Sequence, residues 1–216
     1  ITVYDGTPDQ KVTLTASPFD WLEASFFYTN IQGLPYPGYE YQDYKDKGFN
    51  VKVRLKEQGV LPAVAFGVND LAGTGFYSGE YIVSSYELNN IDFHLGLGWG
   101  TLNGKNDFKN PLSLLDERFK NRPTEFEDQG GQFQPSRYYS DENVSAFFGF
   151  SYILNDRTLF KFERDTTSTD SQIDYQLAES DFSYGWEYRV NKNFSIGLFN
   201  ERDSFYSLKF IYKQNP

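Results

Sequence analysis

Side chains in this chain alternate with a period of two almost from end to end, which leaves little to fold into except β-sheet. Between Ile91 and Gly100 one face carries Ile91, Phe93, Leu95, Leu97 and Trp99, the other Asp92, His94, Gly96, Gly98 and Gly100. Phe182, Tyr184, Trp186, Tyr188 and Val190 alternate in the same way with Asp181, Ser183, Gly185, Glu187 and Arg189. The pattern predicts about twelve strands, near 1–5, 10–17, 20–30, 48–56, 62–70, 78–88, 91–100, 144–154, 157–166, 180–190, 194–202 and 204–213. Most run about nine to eleven residues, against about five or six in soluble sheets, the length a tilted strand needs to cross a bilayer core.

The connections alternate too. Short turns are expected at Pro18-Phe19, 57–61, Asn89-Asn90, Asn155-Asp156 and 191–193, and longer loops at 31–47, 71–77, 101–143 and 167–179. Strands running up and down in order put these tight turns at one end and the long loops at the other, the asymmetry of outer-membrane barrels. Residues 1–216 read as a single barrel domain, with 101–143 as one long, ordered extracellular loop. Its Phe108, Leu112, Leu114, Leu115, Phe119 and Phe126 are too apolar for a freely solvated segment. A helical turn over Ser113–Lys120 is expected to set Leu114, Leu115 and Phe119 on one side, packed on the barrel rim or mouth or on a partner, and narrowing the pore.

The face opposite the apolar one decides which way the sheet looks. It carries Gly, Ala, Ser and Thr with Glu23, Lys52, Arg54, Lys56, Asp92, Lys161, Glu163, Glu187, Arg189 and Lys209. Gly weakens strands and is rare on the solvent side of a soluble sheet. Small residues mixed with opposite charges suit a crowded polar lumen, leaving the apolar face for lipid. Aromatics are 19% of the chain against a hydrophobic total of 39%, and Phe26, Tyr28, Trp99, Tyr188 and Tyr212 are placed to form interfacial girdles. Leu97 and Tyr184 are expected to face acyl chains, and Gly98, on the lumen side, to accept Ser. The fold class expected is all-β, an antiparallel up-and-down transmembrane β-barrel, since closure removes the unpaired edges that lipid does not tolerate.

Composition excludes several functions. A net charge of −10 argues against a nucleic-acid partner. The lack of Cys removes disulfides, thiolate chemistry and Cys-based zinc sites, and a single His removes the usual His-rich centres. Gly73-Thr74-Gly75 has neither the Lys nor the following helix of a phosphate loop. Asp141-Glu142 and Glu125–Asp128 match no EF-hand spacing. No cofactor and no metal are expected. The chain starts at Ile1 without Met, a basic n-region or an apolar h-region; a leader is expected to have been removed, and its absence does not point to the cytosol.

The candidate site residues are the lumen charges Glu23, Lys52, Arg54, Asp92, His94, Glu163, Glu187 and Arg189. Lys52, Arg54 and Lys56 form a basic ladder that either steers an acidic sugar polymer or neutralises carboxylates such as Glu23 on the preceding strand. His94 and Asp92 form either an acid–base pair or part of a lumen hydrogen-bond network. Tyr36, Tyr39, Tyr41 and Tyr44 offer either a platform for glycan stacking or an interfacial girdle.

Several stretches carry a resemblance. Ser17-Pro18-Phe19-Asp20-Trp21-Leu22-Glu23-Ala24-Ser25 is one, and Asp70-Leu71-Ala72-Gly73-Thr74-Gly75-Phe76-Tyr77-Ser78-Gly79-Glu80-Tyr81 is the most specific. With 61–67, Gly96-Leu97-Gly98-Trp99-Gly100 and Asn110-Pro111-Leu112 in order around them, residues 11–112 resemble YjbH-like outer-membrane proteins, associated with exopolysaccharide and capsule production in Gram-negative bacteria. Members of that family are longer, so the chain reads as a minimal or partial member. The resemblance implies a non-enzymatic outer-membrane barrel that assists exopolysaccharide export or surface assembly, with outer-membrane lipid, polysaccharide and other envelope proteins as partners. It supplies no catalytic residues. The alternatives are a passive channel or structural subunit of an envelope complex, and an outer-membrane hydrolase centred on Asp92 and His94.

Overall fold

The computed structural model describes residues 2–5, 9–36, 38–123, 133, 135–168 and 178–213. Thirteen strands form one antiparallel sheet: β1 (Thr2–Asp5), β2 (Asp9–Phe19), β3 (Leu22–Tyr36), β4 (Tyr39–Lys56), β5 (Ala63–Leu71), β6 (Gly79–Leu88), β7 (Ile91–Gly100), β8 (Phe108–Lys109), β9 (Asn143–Asn155), β10 (Thr158–Arg164), β11 (Phe182–Arg189), β12 (Phe194–Glu201) and β13 (Phe205–Tyr212). Apart from β8, which pairs with the start of β9, they lie side by side in chain order. The expected up-and-down, all-β architecture is present. Its two ends, β1 and β13, share no register pair among the described residues.

One expected loop is strand. Residues 31–36 and 39–47 extend β3 and β4 as a hairpin, with Tyr36 opposite Tyr39 and stacked on Tyr44 at 5.8 Å. The Gly and Pro residues there read as loop, but Pro35 falls at a register shift, where it costs no ladder bond. Cross-strand tyrosines then outweigh local propensity. The long-loop end also holds a tight turn, where the expected strands 194–202 and 204–213 meet. Residues 202–204 join β12 to β13, with Arg202 and Asp203 both at φ +56° and Glu201 opposite Phe205 in register. Most of the expected loop 167–179, and all of Glu125–Asp128 with Phe126, lie outside the described residues.

The burial pattern inverts that of a soluble sheet. In β11, Phe182, Tyr184, Trp186 and Tyr188 are exposed while Ser183 and Gly185 are buried. In β7, Phe93 and Leu95 are exposed while Gly96 and Gly98 are buried. The apolar face therefore looks out and the small, polar face looks in, where glycines make room for large neighbours. A Cβ on Gly67 would strike the Tyr81 ring, and one on Gly96 the Phe147 ring. Gly98 corrects an expectation. A Cβ there would lie 2.6 Å from Leu102 Cβ and 2.9 Å from the Leu102 carbonyl oxygen, so Ser is not accommodated.

That contact arises because the loop after β7 first turns inward. Lys105 and Asn106 donate backbone N–H to Ser145 Oγ on the inner face of β9, and Ser145 Oγ donates to Asn103 Oδ1. After β8 the chain passes to the outside. Glu80 and Trp99 are register partners two residues from the outward Ile82 and Leu97, yet both are fully buried, as is Val144. Described residues of the segment 110–142, the strap, cover Glu80 and Trp99. Arg122 Nη1 and Nη2 donate to the two Glu80 carboxylate oxygens at 2.7 and 2.9 Å, and Tyr139 N–H donates to Glu80 Oε2 at 2.9 Å. The Tyr139 ring packs edge-on against Trp99 at 5.3 Å, and its hydroxyl donates to the Gly67 carbonyl. Trp99 is thus an anchor for the strap, not a member of an interfacial girdle. Burial and the adjacent Arg122 push the Arg137 guanidinium down to about 10.

The strap is folded by Asn110, whose Nδ2 donates to the carbonyls of Phe119, Tyr139 and Asp141 while Oδ1 accepts from Leu112 N–H. The expected helical turn at 113–120 is two 3₁₀ turns, Pro111–Leu114 and Glu117–Lys120. Leu114 and Leu115 are 89% and 79% exposed, so the packing expected of them is not what holds this segment. Polar anchors hold it. Removing one partner of a buried ion pair strands the other charge and costs about 3–5 kcal/mol. Glu80→Ala should therefore loosen the strap, read as protease cleavage within 110–142 and a lower unfolding midpoint. The double change Glu80→Met with Arg122→Met should recover most of the loss. A Glu80→Ala protein as stable and protease-resistant as the parent would refute the clasp.

Candidate functional site

Four of the eight lumen candidates converge. Glu23 on β3, Lys52 and Arg54 on β4 and His94 on β7 line one inner-face cavity of about 610 Å³. Register explains the meeting: Glu23 pairs with Lys52, which pairs with Gly67, which pairs with Tyr81, all on the inward face. Lys52 Nζ lies 3.7 Å from Glu23 Oε1, and Arg54 is held at 2.8 Å by Glu57 from the following turn. The basic ladder is thus matched by carboxylates, and the side chains stay more than a third exposed, so each pair contributes little to stability. Phe19, Trp21, Tyr81 and Ser85 complete the polar and aromatic wall. Sequence reasoning passed over them as site residues, although Trp21 has the inward parity of Glu23.

The other candidates lie apart. Glu187 accepts from Lys161 Nζ at 3.0 Å, and with Arg189 lines a second cavity of about 400 Å³ beside the turn at Asn155–Arg157. Glu163 stands between Gly149 and Ser183 in register. Ser85 lies across from His94, and Asp92 two residues further on the same face, but among the described residues no hydrogen bond joins the three. The tyrosines split. Tyr36, Tyr39 and Tyr44 cluster, with Tyr44 against Phe76, while Tyr41 is fully exposed and joins no ring pair among the described residues.

A second charged group roots the long loop. Arg164 donates both terminal nitrogens to Asp107, at 2.8 and 3.2 Å, and a further bond to the Ala146 carbonyl. Asp107 Oδ2 also accepts from Ala146 N–H. Asp181 lies 3.6 Å from Arg164 and 2.6 Å from Lys105. Nothing in the sequence pattern pairs a loop aspartate with an arginine at the end of β10.

A family profile described as YjbH, exopolysaccharide biosynthesis protein YbjH, matches residues 1–216, so the likeness extends well past residue 112. The "Uncharacterized lipoprotein YjbH" of Escherichia coli (strain K12) is 32% identical over 204 residues, covering 91% of this chain and 29% of that protein. The chain thus spans less than a third of its relative. Among solved structures, a NanC porin superposes with a TM-score of 0.50 at 11% identity, covering 95% of this chain and 93% of the porin. That likeness concerns the fold alone.

The Arg164 clamp makes loop order depend on pH. The hydrogen bond from Arg164 holds the Asp107 carboxyl below its ordinary range. A depressed folded value means that the stabilisation is complete above the unfolded value of about 4 and is lost as pH falls through the lower folded one. Hydrogen exchange in 101–109, corrected for the intrinsic rate, should show equal protection at all pH values above the unfolded value and a loss once the pH falls below it. Asp107→Asn should bring protection at neutral pH down to the acid-side level and flatten the profile. If Asp107→Asn keeps the parent profile, the clamp does not root the loop.

Proposed function

The chain belongs to the YjbH family of exopolysaccharide biosynthesis proteins, and from that premise we propose that it acts as a non-enzymatic outer-membrane barrel assisting exopolysaccharide export or surface assembly. The inverted burial pattern carries the reading. Exposed Leu95, Phe93, Tyr184, Trp186 and Leu198 on strands long enough to cross a bilayer suit lipid, and a wall of Gly, Ser and paired charges suits a hydrated interior. The family description supplies the polymer pathway, and the E. coli relative's lipoprotein name fits a place in the cell envelope. A passive channel, or a structural subunit of an envelope complex, is a second reading favoured by the two cavities on the inner face.

Deleting the protein in its native host should abolish or reduce secreted polymer while small-solute uptake stays unchanged. The reverse result would favour the channel. In intact cells an impermeant thiol reagent should label Tyr39→Cys at the long-loop end and spare Asn90→Cys at the short-turn end. Labelling of Asn90→Cys alone would invert the topology. Leu97→Arg should cost about 2–4 kcal/mol in a bilayer, while Ser151→Thr on the inner face should cost little. A silent Leu97→Arg would remove the lipid-facing assignment.

A further inference from the structure

We propose that the inner cavity at the short-turn end is a binding site for a neutral pyranose segment of a glycan, with Phe19 and Trp21 as its stacking surface. The inference rests on the export reading above and adds to it a place and a ligand chemistry. Phe19 ends β2 and Trp21 lies in the turn to β3, and their rings lie 5.4 Å apart at an interplanar angle of 3°. Both are more than half exposed, at 56% and 51%. Other exposed aromatics, such as Tyr184 and Trp186, lie on the outward face, whereas this pair lines the inner cavity. Large rings left wet inside a cavity, beside convergent polar groups, are the arrangement of a ligand site rather than of a core or a lipid belt.

The chemistry follows from what surrounds the rings. A stacked pair of rings leaves an outer ring face open, and the C–H face of a pyranose ring is the flat apolar side by which a polar molecule packs on such a face. Around that surface stand acceptors on Glu23 and Asp20, donors on Lys52 and Arg54, and the mixed groups Tyr81, Ser85 and His94. Sugar hydroxyls both donate and accept, so they are satisfied by such a mixed set. The charges balance, Asp20 and Glu23 against Lys52 and Arg54, and Lys52 and Arg54 are each already matched by a carboxylate. A uronate would have to displace Glu23 or Glu57 to gain a cation, whereas a neutral ring bonds to the pairs as they stand. A cavity of about 610 Å³ has room for more than one ring at a time. Its position beside the Pro18–Trp21 turn puts it where a polymer arriving from the short-turn side meets the barrel first.

The test is calorimetric titration of the full chain, folded in a detergent without a sugar headgroup, with short neutral α- and β-linked gluco-oligosaccharides and with an oligogalacturonate of equal length. At least one neutral oligosaccharide should bind saturably, and more tightly than the uronate. Trp21→Ala should weaken it about fivefold or more, the scale of one lost aromatic contact, and Trp21→Phe should restore much of it. Because Trp21 is half exposed, Trp21→Ala should keep the parent unfolding midpoint; if it does not fold, Phe19→Ala reads the same surface from its other ring. Binding unaffected by Trp21→Ala and Phe19→Ala, tighter binding of the uronate, or no binding of any neutral oligosaccharide would each overturn the proposal. The secreted polymer separates this failure from that of the export reading. Polymer lost on deletion but normal in a non-binding Trp21→Ala strain overturns the site alone, and polymer unaffected by deletion overturns the export role whatever binds in the cavity.

Discussion

The antiparallel ladder carries the cohesion of this molecule, because there is hardly any apolar core to share the load. Among the described residues the buried hydrophobics are Phe27, Ile31, Ala65, Trp99 and Val144, and Trp99 packs against Tyr139 of the strap. Twelve strands in chain order pair each central strand on both sides. That pairing satisfies the backbone polar groups wherever water does not reach them, which is the condition a lipid-facing wall imposes. With the backbone satisfied, the two faces are free to differ. The outward face keeps aromatics and leucines exposed, and the inward face keeps glycines where neighbouring rings leave no room for a Cβ.

Among the described residues, much of the loop structure is held by charge and amide hubs. Glu80 with Arg122, Asn110 with three carbonyls, and Arg164 with Asp107 tie a long loop first to the inner face and then to the outer one. Buried ion pairs seldom add much net stability compared with apolar replacements, but they penalise any arrangement that separates them. That explains how a segment rich in exposed leucine can keep one path over the rim. The residues that make the second resemblance motif so specific, from Asp70 to Tyr81, include the clasp residues Ser78 and Glu80 and the cavity residue Tyr81. The first motif, from Ser17 to Ser25, holds Phe19, Trp21 and Glu23 of the same cavity.

The strand period, the all-β class and the order of strands were legible in the sequence because each depends on neighbours one or two residues apart. Parity alone puts Glu23, Lys52, Arg54 and His94 on one face. Local signals misled at 31–47, where Gly33, Pro35, Pro37 and Gly38 read as loop although tyrosines across the hairpin pair it as strand. Tertiary structure decided everything that depends on residues far apart in the chain. Register brought Glu23, Lys52, Tyr81 and His94 around one cavity and left Asp92, Glu163 and Glu187 elsewhere. Only the folded loop could show that Gly98 faces Leu102 and that Trp99 is covered by Tyr139. A period of two fixes which face a side chain takes. It carries no information about which distant segment comes to lie on that face, because a contact across some forty residues, as between Glu80 and Arg122, is set by the path of the whole loop.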